Sequence, residues 1–132
     1  MFRTEGLASV IATKPAQHVA ISALDRRPAT YEDIRHLTEQ TRVSLRSAGI
    51  RRTDRVAIVL PNGPTMASCF LAVASSAASA PLNPAYTGDE LDFYLADLRA
   101  RAIVLLRNTE SPAREVAKRR GISILELDID AD

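Results

Sequence analysis

The sequence predicts an α/β fold, a mostly parallel sheet with helices on both faces. Three observations point to it. Residues 56–88 run for 33 positions without a charge, and Pro61, Pro64, Pro81 and Pro84 cut that run into pieces of strand, helix and strand length. Thr30-Tyr31-Glu32-Asp33 and Thr87-Gly88-Asp89-Glu90 both match the pattern in which a Thr hydroxyl and an acid three residues on cap a helix start. Through the second half, strand-length apolar runs alternate with helical ones, which is the spacing of βαβ units.

The elements follow in order. Val19-Ala20-Ile21-Ser22 and residues 28–31 flank Leu24-Asp25-Arg26-Arg27 and read as a small hairpin. From Thr30 a helix over 32–48 spaces Ile34, Leu37, Thr41, Leu45 and Ala48 for one buried face and stops at Gly49. Arg35, Glu39, Arg42 and Arg46 fall on its other face. Val56-Ala57-Ile58-Val59-Leu60 is continuously apolar, as suits a parallel strand covered on both sides. Pro64 fits a first helical turn, where a missing N–H costs nothing, so 65–78 reads as a helix, apolar nearly all round. Residues 79–82 are a short strand. A helix over 88–100 buries Leu91, Tyr94, Leu95 and Leu98. Strand 102–106, helix 112–120 ending at Gly121, and strand 122–127 complete the pattern. Four helices then cover a five-strand sheet, least well at 122–127, a strand with one charge and no proline. Such an edge invites self-association.

Composition bounds the function. The 132 residues suffice for one core, and 46% hydrophobic with 25% charged residues is ordinary for a globular chain. A net charge of +1 gives no reason to expect nucleic acid or an anionic membrane as partner. The lone Cys69 has no internal disulfide partner and suits a reducing, cytoplasmic compartment. Residues 1–17 carry Glu5 and too short an apolar run for a secretory signal, and the prolines within 56–88 exclude a membrane span there. The nearest glycines, Gly49 and Gly63, are 14 apart, so neither a dinucleotide fingerprint nor a P-loop is present.

Three stretches carry a resemblance. They are Thr30-Tyr31, the run from Asp54 through Val56-Ala57-Ile58-Val59-Leu60-Pro61 to Asn62, and Ala80-Pro81-Leu82-Asn83-Pro84-Ala85-Tyr86 followed by Glu90-Leu91. In that order and spacing the chain resembles the N-terminal part of AMP-forming acyl-CoA synthetases, within the adenylate-forming superfamily. Phe70 to Leu82 and Phe93-Tyr94-Leu95-Ala96-Asp97-Leu98 look most like the oxalate–CoA ligase branch. The resemblance implies that 1–132 is the N-terminal portion of the family's large domain. It implies a fatty-acid or other carboxylate ligase using ATP, Mg and CoA. The family's phosphate-binding loop, adenine segment, ribose-binding Asp and C-terminal lid with its catalytic Lys come after the matched region. No cofactor site, metal site or catalytic residue is therefore expected within 1–132. Thr53 stands where the family usually has Gly, and Ser75-Ser76-Ala77-Ala78 where it often has one. If Thr53 needed a positive φ, it would cost about 1 kcal/mol or more.

The remaining candidates read as structural. His36 lies on a helix with no nucleophile beside it, and His18 has no Cys, His or Asp cluster around it. Cys69 sits among Phe70, Leu71 and Ala72, as a buried small hydrophobe does. Asp89 and Glu90 suit a helix cap better than a catalytic pair. Arg26-Arg27, Arg51-Arg52-Arg55 and Arg119-Arg120 fall at turns and helix ends with no interleaved aromatics, so solvated charge outweighs phosphate binding. Asn62 and Asn83 suit turns beside prolines. Two functions stay open. One is an acyl-CoA synthetase N-terminal fragment inactive alone; the other is a free-standing α/β interaction module or one half of a split synthetase. A receiver-like domain is excluded, because Ser22-Ala23-Leu24 is not acidic and the only lysines are Lys14 and Lys118.

Overall fold

The computed structural model describes residues 6–129. Its elements, in chain order, are α1 (Leu7–Thr13), β1 (Val19–Ala23), β2 (Arg26–Thr30), α2 (Tyr31–Ser47), β3 (Arg55–Ile58), α3 (Pro64–Ala74), β4 (Ala78–Pro81), α4 (Gly88–Leu98), β5 (Ala102–Leu106), α5 (Pro112–Arg120) and β6 (Ser123–Leu127). The main sheet is all parallel, in the order β4-β3-β5-β6, and β1 and β2 form a separate antiparallel pair. The expected five-strand sheet therefore has four strands. The hairpin adds no strand to that sheet and packs on α2 and α3.

The sheet is built around β3. Val56, Ala57, Ile58 and Leu60 are at most 1% exposed, so both faces of the strand need cover. On one face Val56, Ile58 and Leu60 pack with Leu45 of α2 and Cys69 and Val73 of α3. On the other, Ala57 and Val59 pack with Leu91 and Leu95 of α4 and Val116 of α5. The two faces follow from the connections. The chain leaves β3 for β4 on one side, then crosses back over β3 to β5 on the other. Right-handed crossovers in opposite directions place their helices on opposite faces.

The helix starts are chemically specified. Thr30 Oγ1 accepts the Asp33 N–H at 3.2 Å, and Asp33 Oδ2 accepts the Thr30 N–H at 2.8 Å. Thr87 and Glu90 repeat the arrangement at α4, at 3.3 and 2.7 Å. Ser111 caps α5 through the Ala113 N–H, and Gly121 ends it at φ 67°.

Several expected boundaries move, each for a local reason. Helix α3 ends at Ala74 and not Ala78, because the Ser76 and Ala77 N–H groups both turn back onto the Val73 carbonyl and Ala78 already pairs with Arg55. Ser75 has φ −72°, so no glycine is needed there. Among the described non-glycine residues only Arg99 and Asn108 have positive φ, so Thr53 carries no strain. The hairpin loop is tighter than expected, since Ala23 already pairs with Arg26. On α2, Ile34 and Leu45 are buried, Leu37 and Thr41 half-buried, and Ala48 is exposed. Two arginines of its outer face are tied to backbone. Arg35 donates to the carbonyls of Ile11, Ala12 and Lys14, which anchors the unexpected helix α1. Arg46 donates to the Ile50 carbonyl at 2.7 Å.

Truncating Ile58 to Ala should cost about 2–5 kcal/mol in chemical denaturation, the range for other buried Ile→Ala changes. His36→Ala, on an exposed position of α2, should stay within about 0.5 kcal/mol. Equal losses would show that β3 is not the centre of the core.

Candidate functional site

One concave feature lies between α2, α3, the hairpin and β6. Two adjoining clefts of about 250 and 200 Å³ share Leu37, Thr41, Cys69 and Leu127 and form one groove. Its walls are mainly apolar because this is where the half-buried residues of α2 meet those of β6. Leu125 and Leu127 pack only at the margin of the core on this face. Arg26 and Arg27 stand at the mouth, but both are engaged. Arg26 donates to Thr65 Oγ1 at 3.2 Å, and Arg27 lies 3.3 Å from Asp33. Cys69 forms part of the floor, 7% exposed, and burial pushes its thiol up to about 11. It is a packed side chain and a poor nucleophile.

A second cleft of about 190 Å³ sits at the C-terminal ends of β3 and β5, between Pro61, Leu105 and Pro112. The two strands there send their helices to opposite faces, which is the position where open α/β sheets commonly hold ligands. Its polar groups are Thr109, Glu110 and Ser111, and the Ser111 hydroxyl is already spent on the cap of α5.

The residues singled out from the sequence do not converge. His36 on α2 and His18 in the bend before β1 are both exposed. The His18 carbonyl accepts the Tyr31 N–H. Glu90 is bound into its capping box, and Asp89 is exposed beside it. Asn83 Oδ1 accepts the Ala85 N–H at 2.9 Å in a turn, while Asn62 stands exposed. Arg51, Arg52 and Arg55 are exposed, and Asp54 turns back onto the Arg51 N–H. Among the described residues, no three His, Cys, Asp or Glu side chains form a group able to hold a metal.

Sequence reasoning missed the long-range arginine ties. Arg119 and Arg120 both bond Asp92, at 3.0 and 2.7 Å, which clamps α5 to α4 and holds the Asp92 carboxyl well below the usual carboxylate range. Arg114 bonds Glu126 at 2.5 and 3.1 Å and also donates to the Leu106 and Thr109 carbonyls. The first pair is 27–28 residues apart in sequence and the second 12, beyond the reach of any local pattern.

This architecture is that of the adenylate-forming ligases. The sequence model of the AMP-binding enzyme family matches residues 8–132, and the chain belongs to that family. It is 35% identical over 120 residues to oxalate–CoA ligase of Arabidopsis thaliana, covering 89% of this chain and 23% of that protein. It is 33% identical over 113 residues to oxalate–CoA ligase of Saccharomyces cerevisiae, covering 77% and 21%. Thus it spans under a quarter of the length of these relatives. Among solved structures, MatB from Rhodopseudomonas palustris superimposes with a TM-score of 0.80 at 22% identity, over 96% of this chain and 26% of that one. No helix among the described residues is long and apolar enough to cross a membrane.

Two measurements check the site. Native Cys69 should react with a soluble disulfide reagent at pH 8 at least tenfold more slowly than in denaturant, since little thiolate forms when the thiol sits near 11. For Asp92, the folded value lies below the ordinary 3.8, so its contribution is fully present above 3.8 and is lost as pH falls from there through the lowered folded value. Asp92→Asn should therefore lose less stability than the parent between pH 5 and pH 2 in thermal unfolding.

Proposed function

We propose that these residues are the N-terminal framework of an AMP-forming carboxylate–CoA ligase and are inactive alone. The observation behind this reading is the family match over 8–132, set against a chain that spans 23% of a full ligase. The family's reaction joins a carboxylate to the AMP part of ATP and releases pyrophosphate. The thiol of CoA then displaces AMP to give the thioester. In this reading ATP, Mg and CoA are held by segments other than the 132 residues, which supply the covered sheet and its edge. Oxalate, named for two relatives, is the first carboxylate to try. A reducing cytoplasm suits the unpaired buried Cys69.

The purified 132 residues should give no carboxylate-dependent ATP–pyrophosphate exchange above a blank, with oxalate and 4-coumarate in the panel. Grafted in place of the matching segment of the Arabidopsis oxalate–CoA ligase, residues 8–132 should retain oxalate-dependent exchange. Exchange by the isolated chain would overturn the inactivity. A folded but dead graft would overturn the framework role.

The second reading, a free-standing interaction module or half of a split synthetase, is favoured by the groove beside β6. It predicts capture of a complementary ligase segment supplied as a separate chain, with exchange restored on mixing.

A further inference from the structure

The turn from β3 into α3 is built from Pro61, Asn62, Gly63 and Pro64. Gly63 caps the helix, Pro64 opens it, and Asn62 stands exposed before them. Gly63 takes φ 146° and ψ −171°, a conformation reached almost by glycine alone. The turn that folds α3 back over β3 therefore requires a glycine directly after Asn62. That glycine leaves its own nitrogen unshielded. Beyond its chain neighbours, nothing lies within 4 Å of the place a Cβ would take. Among the described residues no backbone hydrogen bond engages its N–H.

The other two asparagines are internal comparisons. Asn83 is followed by Pro84, whose nitrogen carries no hydrogen, and its Oδ1 accepts the Ala85 N–H at 2.9 Å. Asn108 is exposed, but the branched side chain of Thr109 crowds the next nitrogen, and that N–H donates to the Leu106 carbonyl at 3.4 Å. Of the three, Asn62 alone sets an exposed side-chain amide beside a nitrogen that is both unhindered and uncommitted.

We infer that Asn62-Gly63 is a self-modification site, at which the chain converts Asn62 to aspartate and isoaspartate. The Gly63 nitrogen loses its proton and attacks Asn62 Cγ. The new N–Cγ bond closes a five-membered imide as the Cγ–Nδ2 bond breaks. The side-chain nitrogen leaves as ammonia, carrying the proton that the glycine gave up. Water then opens the imide. Attack at Cγ restores the ordinary peptide link and leaves aspartate. Attack at the Asn62 main-chain carbonyl carbon leaves the chain running through Cγ, an isoaspartate with one more methylene in the backbone. Either product puts a carboxylate in place of a neutral amide and takes the formal net charge from +1 to zero. The step consumes one water and joins adjacent residues, so it needs no partner and no open face of the sheet. It does not rest on the ligase reading.

The position gives the two products different consequences. Gly63 offers the first turn of α3 no side-chain acceptor, and a negative charge is favoured at such an end. Arg26, which donates to Thr65 Oγ1 at 3.2 Å, brings a guanidinium to the same turn. Aspartate is accommodated there. Isoaspartate lengthens the link between β3 and a helix whose Cys69 and Val73 pack on that strand.

The test holds the folded 132-residue chain at pH 8 and follows each asparagine by fragment-ion mass spectrometry. Asn62 should convert at least tenfold faster than Asn108, with Asn83 unchanged. The rate should rise with pH, because the attacking nitrogen must lose its proton. Hydroxylamine added to the folded chain should trap the imide and cleave between 62 and 63. Asn62→Gln, whose longer side chain must close a six-membered ring, should slow conversion at 62 at least tenfold with thermal unfolding unchanged. Freshly purified Asn62→Asp should unfold at no lower temperature than the parent, and the isoaspartate fraction of the aged chain at a lower one. Equal conversion at Asn62 and Asn108, conversion at 62 in denaturant but not in the folded chain, or an Asn62→Gln chain that converts as fast as the parent would each overturn the site. Early unfolding of Asn62→Asp would overturn the accommodation of aspartate.

Discussion

A strand that shows almost no side chain to water cannot exist without a layer on each side, and β3 is such a strand. Five consecutive apolar residues, from Val56 to Leu60, are each no more than 6% exposed. Burying them at roughly 25 cal/mol per Å² supplies much of the drive for assembly. It also dictates the order of events along the chain. The helix after β3 must fold back on one face, and the chain must then cross to the other before β5 can pair. The short β4 and the capping box at Thr87 serve to make those reversals in few residues. Even α1 and the hairpin, outside the main sheet, are placed by α2, whose Arg35 holds the α1 carbonyls.

The fold was legible because its strongest signals are local. The charge-free run, the capping threonines and Pro64 each act within one or two turns of chain, and all mark real boundaries within a few residues. What was not legible depends on distance. Arg35 and Arg46 look like solvated charges on a helical wheel, but each finds a carbonyl that only the folded chain brings near. Asp92 had no reason to be noticed until α5 delivered two guanidiniums to it. The groove was hidden for the same reason. Leu37 and Leu127 lie 90 residues apart, and their meeting reflects the packing of α2 and α3 over the sheet.

The candidate site was read from the sequence mostly by elimination. Each polar residue examined there had a bland use available, and Glu90 and Asn83 are seen in those uses. Cys69 is the clearest case, since a mid-helix position among apolar neighbours already specifies a buried thiol. The concave surfaces could not be read at all. A groove is made of gaps between elements, and nothing in a residue string encodes where two surfaces fail to meet.

The sheet also partitions the interior. Ile58, Cys69 and Val73 belong to one packed cluster, and Val59, Leu95 and Val116 to the other, with the backbone of the strands between them. Side chains on opposite sides share no cavity, so a volume change on one side cannot be absorbed on the other. Substitutions in the two compartments should combine almost independently, while those within a compartment must compensate one another. Over evolutionary time such a layer can renew the packing under α4 and α5 without disturbing the side that carries the groove. The backbone of β3, common to both, is the part with least freedom to drift.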